Sequence, residues 1–240
     1  MANIVYGGNN TYGYDIGILM LDSSFPRIVG DVGNAKTWNF PVLFKTVKDK
    51  TPQKVVLDLT KDDILPFIQA AKELEKQGVS AITTSCGFLA LFQNELAEEM
   101  NVPVFTSSLI MLPMISKMIG NKKVLVLTAN SDTLTPKHIK SVCGDDVDFK
   151  KFNVVGTQHK ETFTHFTVQN WDSVDIDKCQ NDIIEVIEEE FSINPDLYGA
   201  ILFECTNMPP YSDIVREKFK LPVFDFVSLT NFVHSSIFGY

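Results

Sequence analysis

Two short stretches carry residues able to do chemistry, "SAITTSCGF" (Ser80 to Phe88) and "AILFECTNMPP" (Ala200 to Pro210). Each closes an apolar run with a cysteine. A cysteine so placed serves as a small core residue, half of a disulfide, a metal ligand or a proton-transfer group. The chain has four cysteines, Cys86, Cys143, Cys179 and Cys205, with no C-x-x-C pair and no His–Cys cluster at zinc spacing. His159 and His165 are six positions apart, which is not a metal spacing on one helix face, so no metal site is expected. The first residues lack the basic and apolar segments of a signal peptide. No apolar run approaches the length of a membrane span. The expectation is a cytoplasmic chain with free thiols.

The 240 residues are 45% hydrophobic and 21% charged, enough to bury a sizeable core. A net charge of −9 argues against nucleic acid or an anionic membrane as partner and leaves room for a small acid in a local pocket. Strand and helix patterns alternate along the chain. "DIGILMLD", "VSAITTS", "VPVFTSS", "KKVLVLTAN", "YGAILFEC" and "LPVFDFVS" read as strands, and "DILPFIQAAKELEKQG", "FLALFQNELAEEM", "LIMLPMISKMIG", "DIIEVIEEEF" and "PPYSDIVREKF" as helices. Such alternation predicts an α/β fold with parallel sheets covered by helices.

The chain also repeats itself. A shift of 119 positions, which carries Cys86 onto Cys205, superposes Ala81 on Ala200, Ile82 on Ile201, Glu98 on Glu217 and Pro103-Val104-Phe105 on Pro222-Val223-Phe224 without a gap. The reading is two similar Rossmann-like lobes related by a pseudo-two-fold axis. Residues 1–119 carry Cys86 and residues 120–240 carry Cys205, with the terminal helix returning to the first lobe. Each cysteine then stands at the C-terminal edge of a parallel strand, where α/β sheets bind ligands. There it opens a helix, whose N-terminus favours thiolate. Two thiols on opposite sides of one ligand suit inversion of a stereocentre beside a carboxylate. One removes the proton, the other returns one from the far face, and neither metal nor pyridoxal phosphate is needed.

The paired "TTSCGF" and "FECTNMPPYS" motifs resemble the aspartate/glutamate racemase superfamily, which includes amino-acid and hydantoin racemases, maleate isomerases and arylmalonate decarboxylases. The resemblance spans nearly the whole chain. It implies a cofactor-independent racemase of the aspartate/glutamate type, with Cys86 and Cys205 as the acid/base pair, a small carboxylate or amino acid as substrate, and a homodimer. Cys86-Gly87-Phe88 departs from the Cys-Asn-Thr common at the first site, whereas Cys205-Thr206-Asn207 stays closer to the pattern. Sister reactions of the superfamily and a non-catalytic small-acid binding protein are the alternatives.

Substrate contact is expected from Thr84 or Ser85, hydroxyls at a strand end that opens a helix. The resemblance implies further contacts: Ser23, in a pair like the Asp-Ser that follows the first strand in glutamate racemases; Thr128, Asn130 and Ser131, in "LTANSDT", which is similar to the Thr-containing turn opening the second half; and Gly87, Thr206 and Asn207 beside the cysteines. Asp22, closing the first strand, is expected there too, as acceptor or orienter for a thiol. "RIVGDVGNAKTWNFPV" (Arg27 to Val42) reads as a loop, with a lid role that brings Asn34 and Thr37 to the ligand. Strand alternation turns Glu204 to the face opposite Cys205, so it reads as structural. Cys143 and Cys179 have no twin across the repeat and also read as structural.

Overall fold

The computed structural model describes residues 4–239. The apolar runs settle into two four-stranded parallel sheets. The first holds β1 (Ile16–Leu21), β2 (Val42–Val47), β3 (Ala81–Thr84) and β4 (Val104–Phe105), in the order β2-β1-β3-β4. The second holds β5 (Lys123–Thr128), β6 (Phe152–Gly156), β7 (Tyr198–Phe203) and β8 (Val223–Phe224), in the order β6-β5-β7-β8. The repeat read from sequence is therefore structural. Ile82 pairs with Val104 in one sheet and Ile201 with Val223 in the other, the same pair 119 positions on. β1 is buried along its whole length, as a central parallel strand covered on both faces must be.

Nine helices complete the described residues: α1 (Pro52–Asp58), α2 (Ile64–Lys76), α3 (Gln93–Glu99), α4 (Leu112–Met118), α5 (Pro136–Cys143), α6 (Phe163–Val168), α7 (Ile176–Ile193), α8 (Ser212–Phe219) and α9 (Phe226–Phe238). Their starts follow local chemistry. The Thr51 hydroxyl accepts from the Lys54 N–H ahead of Pro52, and the Asp175 carboxylate accepts from Asp177 and Lys178. The helix expected over Phe88–Met100 instead opens as a 3₁₀ turn, Gly87–Phe92, before α3. "LIMLPMISKMIG" does the same, because Pro113 has no N–H to give and is tolerated only in the first turn of α4. The last expected strand stops at Phe224, where the Asp225 carboxylate accepts from the Ser228 N–H and starts α9.

Strand alternation divides the core. Val124 and Val126 of β5, with Ala200 and Leu202 of β7, join the apolar cluster of the first sheet, while Leu125, Leu127, Ile201 and Phe203 face a second cluster under α7. One core thus runs continuously between the lobes. Phe226 and Leu229 of α9 belong to it, and His234 reaches Asp15 at 2.8 Å and stacks on Phe40. Phe226 is fully buried. Phe226→Ala is expected to cost about 3–5 kcal/mol of stability, read as a lower urea midpoint. An unchanged midpoint would show that α9 is not needed to join the lobes.

Candidate active site

The two cysteine turns meet in one small cavity of about 30 Å³ lined by Cys86 and Cys205 together with Arg27, Ser85, Gly87, Glu204, Thr206 and Asn207. Local hydrogen bonds hold each turn. The Thr84 hydroxyl donates to the Thr106 carbonyl (2.8 Å) and accepts from the Cys86 N–H (3.4 Å), so it shapes the turn from within the core. The Ser85 hydroxyl accepts from the Leu21 N–H (2.9 Å). Between the lobes, the Thr206 hydroxyl donates to the Ser85 carbonyl at 2.6 Å, and the Ser108 hydroxyl donates to the Phe203 carbonyl at 2.7 Å.

The loop after β1 closes one wall. Arg27 pairs with the buried Asp31 at 2.7 Å and donates to the Ser23 hydroxyl at 3.1 Å. Asp31 in turn accepts from Asn207 at 2.6 Å, and the Val32 N–H donates to the Thr206 carbonyl. The loop is thus fastened to the second cysteine turn. Arg27 and Asp31 do this, not Asn34 and Thr37. The Asn34 side chain donates to the Arg27 carbonyl and accepts from Lys36, while Thr37 donates to the Asp31 carbonyl, so both brace the loop from inside. An ion pair four residues apart in an otherwise Gly- and Asn-rich segment was the available signal.

Other expected contacts lie off the cavity. The Asp22 carboxylate accepts from the Asp49 N–H at 3.0 Å, tying the end of β1 to the turn after β2, and the Asn130 side chain accepts from the Asp132 N–H, closing a turn. Ser131 is held by Gln158. Thr128 does hold a carboxylate, but it is that of Glu204, to which it donates at 2.7 Å. Cys143 donates to the Leu109 carbonyl, and Cys179 lies in the second core.

Glu204 is the largest departure from the sequence reading. β7 ends at Phe203, so strand alternation no longer applies at Glu204, and its fully buried side chain lines the cavity. A lone charge inside "YGAILFEC" was the signal for it. A Cβ at Gly87 would stand 2.1 Å from Glu204 Oε1 and 2.4 Å from its carbonyl oxygen. Glu204 therefore fills the space that a side chain at position 87 would take, which accounts for Cys-Gly in place of Cys-Asn.

The two thiols do not share one environment. Cys86 is pushed up to about 12 by burial and by Glu204, against the Phe88 N–H and the Arg27 guanidinium, which favour thiolate. Cys205 is raised well above the usual range by burial and then by Glu204, Cys86 and Asp31, with only the Asn207 N–H opposing. Its sulfur also points to Asn207 Oδ1 at 3.6 Å. Each thiol is followed by a 3₁₀ segment rather than directly by an α-helix, so the helix-terminus contribution expected from sequence is weak. Among the described residues, no group of three or more His, Cys, Asp or Glu side chains is placed to hold a metal ion, and no helix is long and apolar enough to cross a membrane.

Solved structures with this two-lobe fold include a sulfate-associated mutant of arylmalonate decarboxylase (15% identity, TM-score 0.61, 94% of this chain and 93% of that one). A Bacillus anthracis glutamate racemase is equally similar (15% identity, TM-score 0.61, 93% and 81%). This chain shares the two-lobe fold of these racemases and decarboxylases, with a cysteine at the end of the matching strand in each lobe. No family model matches the sequence. Curated relatives narrow the class. A dimethylsulfoniopropionate lyase of Durusdinium sp. clade D is 34% identical over 222 residues, covering 90% of this chain and 73% of its own length. Dimethylsulfoniopropionate lyase 7 of Emiliania huxleyi (strain CCMP1516) is 35% identical over 223 residues, covering 90% and 65%. The chain belongs to the dimethylsulfoniopropionate lyase family. It spans 65% and 59% of the Emiliania huxleyi relatives numbered 7 and 3.

Gly87→Ala tests the packing of this site. Overpacking is expected to cost about 1–3 kcal/mol and to displace Glu204 from the Cys86 turn, seen as a lower melting temperature with most turnover lost. An alanine variant with wild-type stability and rate would contradict the contact.

Proposed function

We propose that this chain is a lyase acting on a small monocarboxylate with a sulfonium leaving group, dimethylsulfoniopropionate. A cysteine thiolate removes the proton α to the carboxylate. The electron pair of that C–H bond forms the Cα=Cβ double bond, the Cβ–S bond breaks with its pair on sulfur, and acrylate and neutral dimethyl sulfide leave. The names of the relatives support the substrate. The observation that carries the reaction type is the inequality of the thiols. Elimination needs one base, whereas inversion in both directions is best served by two equivalent ones. Glu204 opposes thiolate at both sulfurs; Arg27 favours it at Cys86 alone, and Asp31 opposes it at Cys205 alone. We assign Cys86 as the base and Cys205 as a neutral thiol in the opposite wall.

Arg27 is the one cation among the described residues lining the cavity. Its guanidinium has five N–H donors, and the bonds to Asp31 and Ser23 leave others for a carboxylate. One cation matches one carboxylate, whereas aspartate and glutamate bring two. The buried Phe88 ring in the same wall gives the sulfonium methyls an aromatic surface. The cavity is smaller than the substrate, so entry requires the Arg27 loop to move away from the Asn207 turn. A second reading, two-thiol racemisation of an amino acid, is favoured by both sulfurs lining one cavity.

Dimethyl sulfide release from dimethylsulfoniopropionate decides between them. Cys86→Ser is expected to lower kcat/KM about a thousandfold, and Cys205→Ser by less. Arg27→Ala is expected to raise KM about 10- to 150-fold, from loss of a charged hydrogen bond. Absence of dimethyl sulfide, with D- and L-amino acids interconverting in D2O and taking up α-deuterium, would overturn the lyase reading.

A further inference from the structure

Elimination leaves a problem that racemisation does not have. A racemase returns the proton it removes, but an elimination leaves one proton on the base in every turnover, and that base is buried. The scheme above also leaves Glu204 unused. This carboxyl is fully buried, accepts from Thr128 at Oε2, and has no hydrogen-bond partner at Oε1. An unpartnered oxygen in such a place costs stability. Oε1 packs against Gly87, next to Cys86, and Glu204 is the strongest charged neighbour acting on both thiols. The other charged or titratable groups facing this cluster are Arg27 at Cys86 and Asp31 at Cys205.

We propose that Glu204 is the proton relay of the site: its carboxylate takes the proton of the Cys86 thiol, holds it on Oε1, and leaves the thiolate that attacks the substrate. The inference rests on the elimination reading above. In the first step the S–H bond breaks and an O–H bond forms, giving a neutral carboxyl and a thiolate. In the second the thiolate takes the α-proton and dimethyl sulfide departs with the electrons of the Cβ–S bond. Thiol and carboxyl are then both protonated, and Glu204 sheds the extra proton to solvent when the site opens. Glu204 does not touch the substrate in this scheme. It is a positioning residue for the proton and acts through sulfur.

A relay has a signature that a bystander charge lacks: the reaction needs the carboxyl ionised while the thiol still holds its proton. Burial raises the Glu204 carboxyl to about 7, against the hydrogen bond from Thr128. The test follows turnover against pH. The wild type is expected to rise as the carboxyl ionises near neutrality and then to level off. Glu204→Gln should lose that rise, with kcat about 100-fold lower, and Glu204→Asp should recover part of it. Thr128→Val removes a bond that favours the ionised carboxyl, so it should move the rise to higher pH. A bystander carboxylate only opposes thiolate, so Glu204→Gln would then turn over undiminished, and that result would overturn the relay. Turnover is read both as dimethyl sulfide release from dimethylsulfoniopropionate and as α-deuterium uptake by D- and L-amino acids in D2O. A Glu204-dependent rise in deuterium uptake with no dimethyl sulfide upholds the relay and sinks the elimination reading. Dimethyl sulfide release that is undiminished in Glu204→Gln does the opposite.

Discussion

The site depends on a hydrogen bond between lobes, from the Thr206 hydroxyl to the Ser85 carbonyl at 2.6 Å. Each of these residues is the immediate neighbour of one of the two paired cysteines, so the bond fixes where one sulfur lies relative to the other. The Ser108–Phe203 bond and the continuous core between the sheets hold the same alignment from behind. On the remaining side, Arg27, Asp31 and Asn207 form a chain from the first loop to the second cysteine turn. The cavity is therefore a product of the lobe interface, and neither lobe builds it alone.

Burial then sets the electrostatics. Burial drives both thiols and the Glu204 carboxyl toward their neutral forms, and the differences between the three come from their neighbours. Glu204 bears on both thiols, but only Cys86 feels a guanidinium and only Cys205 a second carboxylate, Asp31, while the Glu204 carboxyl has one hydrogen-bond donor. A duplicated scaffold with matched thiols has in this way become chemically unequal on its two sides. An aspartate racemase, a glutamate racemase and an arylmalonate decarboxylase share the scaffold, and the unequal surroundings of the two thiols are what the proposed one-sided proton removal rests on.

Much of this was legible in the sequence because duplication leaves a register that can be counted. The 119-residue shift locates both cysteine turns and both following strands, and the sheets reproduce it residue for residue at Ile82–Val104 and Ile201–Val223. What was not legible came from places where local pattern stops governing. Glu204 lies one residue beyond the end of β7, so its side follows the turn. Arg27 and Asp31 lie in a loop whose path is set by contacts with a turn 176 positions further on. Asp22 and Asn130 satisfy nearby backbone N–H groups, which compete for short polar side chains at every strand end. Tertiary contact, not propensity, separates the residues that reach the cavity from those that close turns.

In the proposed reaction the cavity takes a carboxylate between the two thiols that line it. A crystal structure of the protein with acrylate bound tests it most directly. The acrylate carboxylate is expected on the Arg27 guanidinium, with Cys86 Sγ facing the carbon next to that carboxylate and Cys205 Sγ across the same molecule. Acrylate bound elsewhere, or in this cavity with both sulfurs on one side of it, would contradict the account.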